Sequence, residues 1–383
     1  MPEVSVLVLA PAPSPDAGPL ARLLDDARAA IGEWHRLAFL EAGAAESVFR
    51  REPPDDTRFG ARLRRFAGEL RGPGLVVLGA GSIPLATAAD LRAFVDAAAG
   101  DRPRALANHR HSADIVAIAR ADLVLADLPP ELDSDNALPR WLAEGAGIEV
   151  RDLRARRRLA MDVDSPLDLL LLDGALGAMA TKTTTGADGP KTTRTTPLRM
   201  PGDADAAPVR ARLAALRALA RDPGAELLIA GRMSAADIRW AELHTRSRTR
   251  ALIEERGLRT ASDGALVGRA NRRSPRTVLG ELLDRDGPAS LGRHVAALCD
   301  GALLDSRVLL AHRLGADERR WPDPEDRYAS DLLLADHVGD PWLRELTAAA
   351  AEAPVPILLG GHALVGPGAR LVLRGPGGRG RTR

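Results

Sequence analysis

LAMDVDSPLDLLLLDG, residues 159–174, sets two aspartates one residue apart ahead of Ser-Pro and an almost unbroken apolar run. Ser165 is a good helix N-cap, and Pro166 suits the first helical position, where its missing N–H removes no bond. Asp168 falls three residues after the cap, where a carboxylate favours the helix start. The stretch therefore predicts a helix from Pro166, with AMDVD before it as a strand end. Alternation along that strand puts Asp162 and Asp164 on one side. Two carboxylates so placed suit Mg²⁺, which takes one or two carboxylates together with substrate phosphates and water. For Asp164 an equal alternative is that it only assists the helix start.

Upstream, short β-type runs alternate with helical patterns: VSVLVLA, then GPLARLLDDARAAIGEW, then RFGARLRRFAGEL leading into GLVVLGAG. That alternation predicts βαβ units in an α/β domain over residues 1–178, with a mainly parallel sheet and helices on both faces. Residues 179–208 are rich in Thr, Gly, Pro and Asp and lack apolar periodicity, so they read as a flexible linker or insertion. Beyond them, 209–375 reads as a second, smaller α/β or helix-rich domain, and 376–383 as a disordered tail. In that second domain VRARLAALRALA and SAADIRWAELHTRSRTRALIEERG read as helices around the strand AELLIAG. PVPILLGGHALVGPGARLVL reads as a closing pair of strands.

Composition bounds the function classes. The 383 residues are 45% hydrophobic and 27% charged, the balance of a folded globular chain. With 53 basic and 52 acidic residues the formal charge is +1, so no global field draws the chain to nucleic acid or a membrane surface. Cys299 is the single cysteine, which excludes an internal disulfide or a Cys-based zinc cluster and fits a reducing cytoplasm. The first residues have no basic start before their short apolar run, as a targeting segment would. Both lysines, Lys182 and Lys191, fall in the polar 179–208 stretch, so any anion elsewhere must be met by arginine or backbone N–H groups.

MDVDSPLDLLLL resembles the Asp-hydrophobic-Asp-Thr-Pro-x-Asp-Leu segment of MobA-like NTP transferases and CofC-type 2-phospholactate guanylyltransferases. LVVLGAGSIPLATAADLRAFVDAA, residues 75–98, is similar to a second landmark of those families: a buried strand, then Asp-x-Pro-Leu-x-Thr-x-x-Asp-Leu and a helix. The resemblance covers roughly residues 1–178. It implies a GT-A-like, Rossmann-related fold that transfers an NMP from an NTP to a phosphorylated small-molecule acceptor, releasing pyrophosphate. Mg²⁺ is the implied cofactor, with Asp162 and then Asp164 as catalytic metal ligands. Nucleic acid and membrane are not implied partners; the second domain is expected to shape an acceptor site or a homodimer.

Two departures stand out. The family's metal-binding aspartate before the Leu/Met-Pro step is here Ser82, a neutral and weak Mg²⁺ ligand. The N-terminal phosphate loop is LAPAPSPDAGPLARLL, where Pro11, Pro13 and Pro15 each remove a donor. Gly18 with the following helix start can still offer N–H groups, and Arg22 a positive charge. A domain that keeps the fold without the chemistry is therefore the alternative to an active enzyme.

Other polar clusters have two readings each. NHRHSAD, 108–114, offers Arg110 and Asp114 as phosphate or nucleobase contacts, with His109 and His111 alongside, or is a solvated loop. Asp133 and Asp135 lie in acceptor territory by resemblance, though DSDNALPRWL is also a good helix start. RDLRARRRL, 151–159, holds an anion beside Asp162 or forms a solvated basic face. Arg239, Arg246 and Arg250 fall on one face of the expected 234–257 helix, and His362 sits in a glycine-rich turn. Asp305, His312 and Asp336 are acid or base types with nothing linking them.

Overall fold

The computed structural model describes residues 3–52, 55, 57–69, 71–179, 181–186, 189–194, 198–256, 258 and 274–374. The chain divides into two compact units. The first takes residues 1–17, 25–163 and 176–199, the second 18–24, 164–175 and 200–383. Two stretches from the expected 1–178 domain, 18–24 and 164–175, thus belong to the second unit, because Leu20, Leu167, Leu170 and Leu171 are buried in its core. The expected tail 376–383 lies outside the described residues.

In the first unit, β1 (Val4–Pro11), β2 (Glu46–Glu52), β3 (Gly74–Gly79), β4 (Arg104–Ala107), β5 (Ile115–Ala119) and β6 (Glu149–Asp152) form a six-stranded sheet, order β2-β1-β3-β5-β4-β6. β1 pairs in parallel with β2 and β3, and β4 with β6, while β5 runs antiparallel to both β3 and β4. The sheet is therefore mixed. Strand alternation divides its side chains between two cores. Val4, Val6, Val8, Val76, Leu78 and Ile115 face one, with Phe39 of α1 (Pro19–Glu41) and Phe94 of α3 (Ala88–Ala98). Leu7, Leu75, Val77, Val116 and Ile118 face the other, with Leu63 and Phe66 of α2 (Phe59–Glu69). Each face is thus covered by helix, as the apolar runs predicted. Further helices are α4 (Ala121–Val124) and α5 (Leu138–Glu144), whose Val124, Leu138 and Leu142 join the second of these cores.

The 179–208 stretch, expected as a flexible linker or insertion, holds regular structure in part. It carries β7 (Thr181–Gly186) and β8 (Gly189–Arg194), an antiparallel ladder that pairs only with itself among the described residues. Thr-rich runs favour paired strands even without apolar alternation.

The second unit starts its main helix where the sequence put it: α6 spans Pro166–Met179, and α7 covers Asp203–Leu219. The strands β9 (Glu226–Gly231), β10 (Arg248–Ile253), β11 (Gly301–Asp305) and β12 (Ile357–Gly360) form a four-stranded, wholly parallel sheet, order β10-β9-β11-β12. α8 (Ala235–His244) opens on a Ser234–Asp237 capping box, as expected, but ends at His244. RTRALI is strand β10 rather than more helix, because it pairs with β9, a partner distant in sequence. Gly257, its expected stop, lies outside the described residues. The closing pair of strands is also corrected. Only Ile357–Gly360 is strand, and helices at His362–Val365 and Ala369–Arg374 follow. Their Leu364, Val365, Ala369, Val372 and Leu373 are buried in the unit's core, and Ala369, Val372 and Leu373 of the second helix keep a helical 3–4 spacing.

Candidate functional site

In the first unit the chain runs from β1 to β2 on one side, then to β3 on the other. Where strand order reverses, the loops leave the carboxyl ends in opposite directions and open a crevice. A cavity of about 320 Å³ lies there. Leu9 to Pro11 and Val77 to Gly79 form its floor, Phe59 and Leu138 its apolar walls, and Arg50, Arg62, Asp114, Asp133 and Asp135 its charged groups. Asp114 is positioned by Asn108, a buried amide that donates to Asp114 Oδ2 at 2.7 Å and to Leu159 O at 2.8 Å. Asn108 Oδ1 accepts the Asp114 N–H at 3.0 Å, so this carboxylate is held from both ends. Asp133 pairs with Arg58.

AMDVD is not a sheet strand. Asp162 makes an isolated antiparallel bridge with Ser82. The Ile83 N–H donates to Met161 O and the Val163 N–H to Gly81 O, each at 3.1 Å. The bridge adjoins the cavity through Gly79, where an added Cβ would lie 2.9 Å from Ser82 Oγ. Asp162 Oδ1 accepts the Val163 N–H at 2.9 Å. Arg28 of α1 donates from Nε to Val163 O at 2.7 Å, bringing a guanidinium to the same turn. Ile83 is fully buried with φ of 46°, a left-handed conformation that strains a β-branched residue.

Asp164 falls in the second unit. Its backbone N–H and that of Ser165 donate to Asp168 Oδ2 at 2.9 and 2.8 Å, so the carboxylate that starts α6 is Asp168. Burial, then the charge of Asp164, push the Asp168 carboxyl up to about 7. The bridge puts Ser82 opposite Asp162. Among the described residues no group of three His, Cys, Asp or Glu side chains could enclose a metal. Asp162 brings one carboxylate to the bridge, and Asp114, Asp133 and Asp135 line the neighbouring cavity.

The remaining candidates are scattered. The N–H groups of Leu20 and Ala21, the donors expected to meet phosphate beside Gly18 and Arg22, donate to the two carboxylate oxygens of Glu325 at 2.9 and 3.0 Å. The anion at this helix start is thus internal. Likewise Arg156 and Arg158 of the basic stretch meet Asp90, the buried carboxylate of the Thr87 capping box, at 2.9 and 2.6 Å. Burial pushes the Asp90 carboxyl up, but Arg158, Thr87 and Arg156 outweigh it and hold the group well below the usual carboxylate range. Arg110 and His111 line a separate cavity near the carboxyl ends of β4 and β6. Arg239 is helical, Arg246 lies between elements, and Arg250 is a strand residue paired with Glu226 at 2.9 Å, so they share no helix face. Asp305 is buried against Arg232 at 2.7 Å, and Gly231, φ 132°, leaves room for it, since a Cβ there would strike the Asp305 side chain. His312 accepts the Thr277 N–H at Nδ1 and meets Asp284 at Nε2, Asp336 sits in a 3₁₀ turn, and His362 begins a short helix. Asn108, Arg28 and Glu325 had no signal in the sequence, because an amide or a lone charge gains meaning only from partners brought by the fold.

No protein-family model matches the chain, and no curated protein matches it. Among the described residues no helix is long and apolar enough to cross a membrane. The α/β class, with one mixed and one parallel sheet, is what the architecture defines.

Proposed function

We propose that the first unit is a GT-A-like, Mg²⁺-dependent nucleotidyltransferase domain that transfers an NMP from an NTP to a phosphorylated small molecule. The observation that carries this reading is the Ser82–Asp162 bridge beside a crevice at the strand-order reversal. In this reading a phosphate oxygen of the acceptor attacks the α-phosphorus, the bond to the bridging oxygen of the β-phosphate breaks, and pyrophosphate leaves with the electron pair. Such transfer depends on positioning and on offsetting charge at the phosphate oxygens. When bound, Mg²⁺ would supply that offset, held by Asp162. Arg28 adds a fixed positive charge at the same turn, Asn108 keeps Asp114 aimed at the cavity edge, and Phe59 and Leu138 give an apolar wall for a base. A rise in melting temperature with NTP and Mg²⁺, together with pyrophosphate release on addition of phosphorylated acceptors, is the expected result.

One finding favours a second reading, a ligand-binding module without catalysis. Ser82 supplies a neutral hydroxyl where two carboxylates would hold a metal, and Glu325 takes the helix-start donors. Binding without pyrophosphate release from any acceptor would select that reading.

A further inference from the structure

Besides the crevice, the first unit carries another cavity along the Asn108–Asp114 loop, of about 510 Å³ and largely polar. It lies near the carboxyl ends of the parallel neighbours β4 and β6, whose last residues Ala107 and Asp152 pair in register. Arg110, His111, Arg151 and Arg154 line it, against the carboxylates of Glu144 and Asp152. The arginines are weakly committed. Arg151 reaches Glu149 only at 4.0 Å, an exposed pair that contributes little in water, and Arg154, itself exposed, reaches the more buried Asp152 at 3.5 Å. Arg110 has no ion-pair partner among the described residues. His109, which accepts the His111 N–H at Nδ1 on the same loop, is within electrostatic reach of Arg154 and Arg157 as well as Asp152. Elsewhere in this unit arginines of the basic stretch meet internal acids, as Arg156 and Arg158 meet Asp90. Around this cavity guanidinium groups outnumber carboxylates.

We propose that this cavity is a binding site for the phosphate group of a small molecule, with Arg110 and Arg154 as its principal anchors. Guanidinium matches phosphate geometry with paired N–H donors. The cavity has the size of a small-ligand site rather than a macromolecular track. The chain's balanced charge supplies no extended basic face for a polyanion. The site stands apart from the nucleotide reading, since neither Asp162 nor the crevice contributes to it.

The test is titration of the full chain with inorganic phosphate by calorimetry at low ionic strength, with phosphoserine and a short single-stranded RNA as further arms. Arg110→Ala with Arg154→Ala is expected to weaken phosphate binding by about tenfold or more, while Asp162→Asn leaves it unchanged. Melting temperatures of each variant without phosphate check folding, and Arg110→Lys, which keeps the charge, is expected to retain most of the binding. Tighter binding of phosphoserine than of inorganic phosphate supports an organic phosphate as the ligand, and equal binding supports free phosphate; both uphold the site. Phosphate binding that is absent, or equal in parent and double variant, overturns the proposal, as does binding seen with RNA alone. Loss of nucleotide binding in Asp162→Asn with phosphate binding intact separates the two sites.

Discussion

Ser82 and Asp162 stand opposite one another across an antiparallel bridge fixed by two backbone hydrogen bonds of 3.1 Å, one on each side. A hydroxyl and a carboxylate so paired cannot both be metal anchors of equal strength, and exchanging the hydroxyl is the direct probe. Ser82→Asp sets two carboxylates face to face. Without metal they repel, so the variant is expected to melt below the parent in EDTA; with Mg²⁺ and NTP it gains more than the parent does. An equal loss in both conditions would show that no cation site forms there.

Asp162→Asn removes the charge and keeps the shape. The bridge is made by backbone atoms, so the fold is expected to survive, with melting temperature in EDTA within a few degrees of the parent. Mg²⁺-dependent stabilisation by NTP should vanish. Persistence of that stabilisation would move the metal elsewhere.

His35 on α1 is fully buried, and burial, only partly offset by the backbone of Ile83 and Ile31, holds its imidazole down at about 4 from an ordinary 6.5. Between those values the unfolded chain takes up a proton that the folded chain refuses. Stability from this group is therefore complete above pH 6.5 and lost as pH falls toward 4, by up to about 3 kcal/mol. His35→Leu is expected to flatten the acid limb of a stability-against-pH curve. An unchanged slope would assign that limb to other groups.

Asp90 receives N–H groups from Thr87, Arg156 and Arg158 on a fully buried side chain. Asp90→Ala leaves two guanidiniums without their anion and opens the cap of α3. A loss of about 2–4 kcal/mol is expected by denaturant titration, less than for a wholly buried pair because both arginines are partly exposed.

Deleting 181–194 removes a ladder whose backbone pairs only with itself among the described residues. Loop-closure cost changes slowly with length, so the melting temperature is expected to stay within a few degrees. A large drop would mean that the hairpin packs on the sheet.

Local signals carried most of the fold. The Ser234–Asp237 box starts a helix where the sequence placed it, and the β-branched alternation of VSVLVLA gave both faces of β1. What failed was decided by distant partners. RTRALI continued a plausible helical charge pattern until β9 claimed it, and the glycines of LLGGHALVGPG concealed two short helices that earn their stability from core contacts. For the candidate site, two motifs pointed to Ser82 and Asp162, which the structure pairs. Asp114 was legible as a polar group, but its holder Asn108 was not, since the two lie six positions apart along a loop that only the fold closes.

Glu325 gives the start of α1 a competitor that never diffuses away. A group tethered at its target acts at an effective concentration on the order of millimolar or above. A dissolved phosphate reaching for Leu20 and Ala21 must exceed that level before it displaces the carboxylate, so at trace concentrations these two donors are closed to it. Selectivity of this kind comes from occupancy rather than from the shape of a pocket.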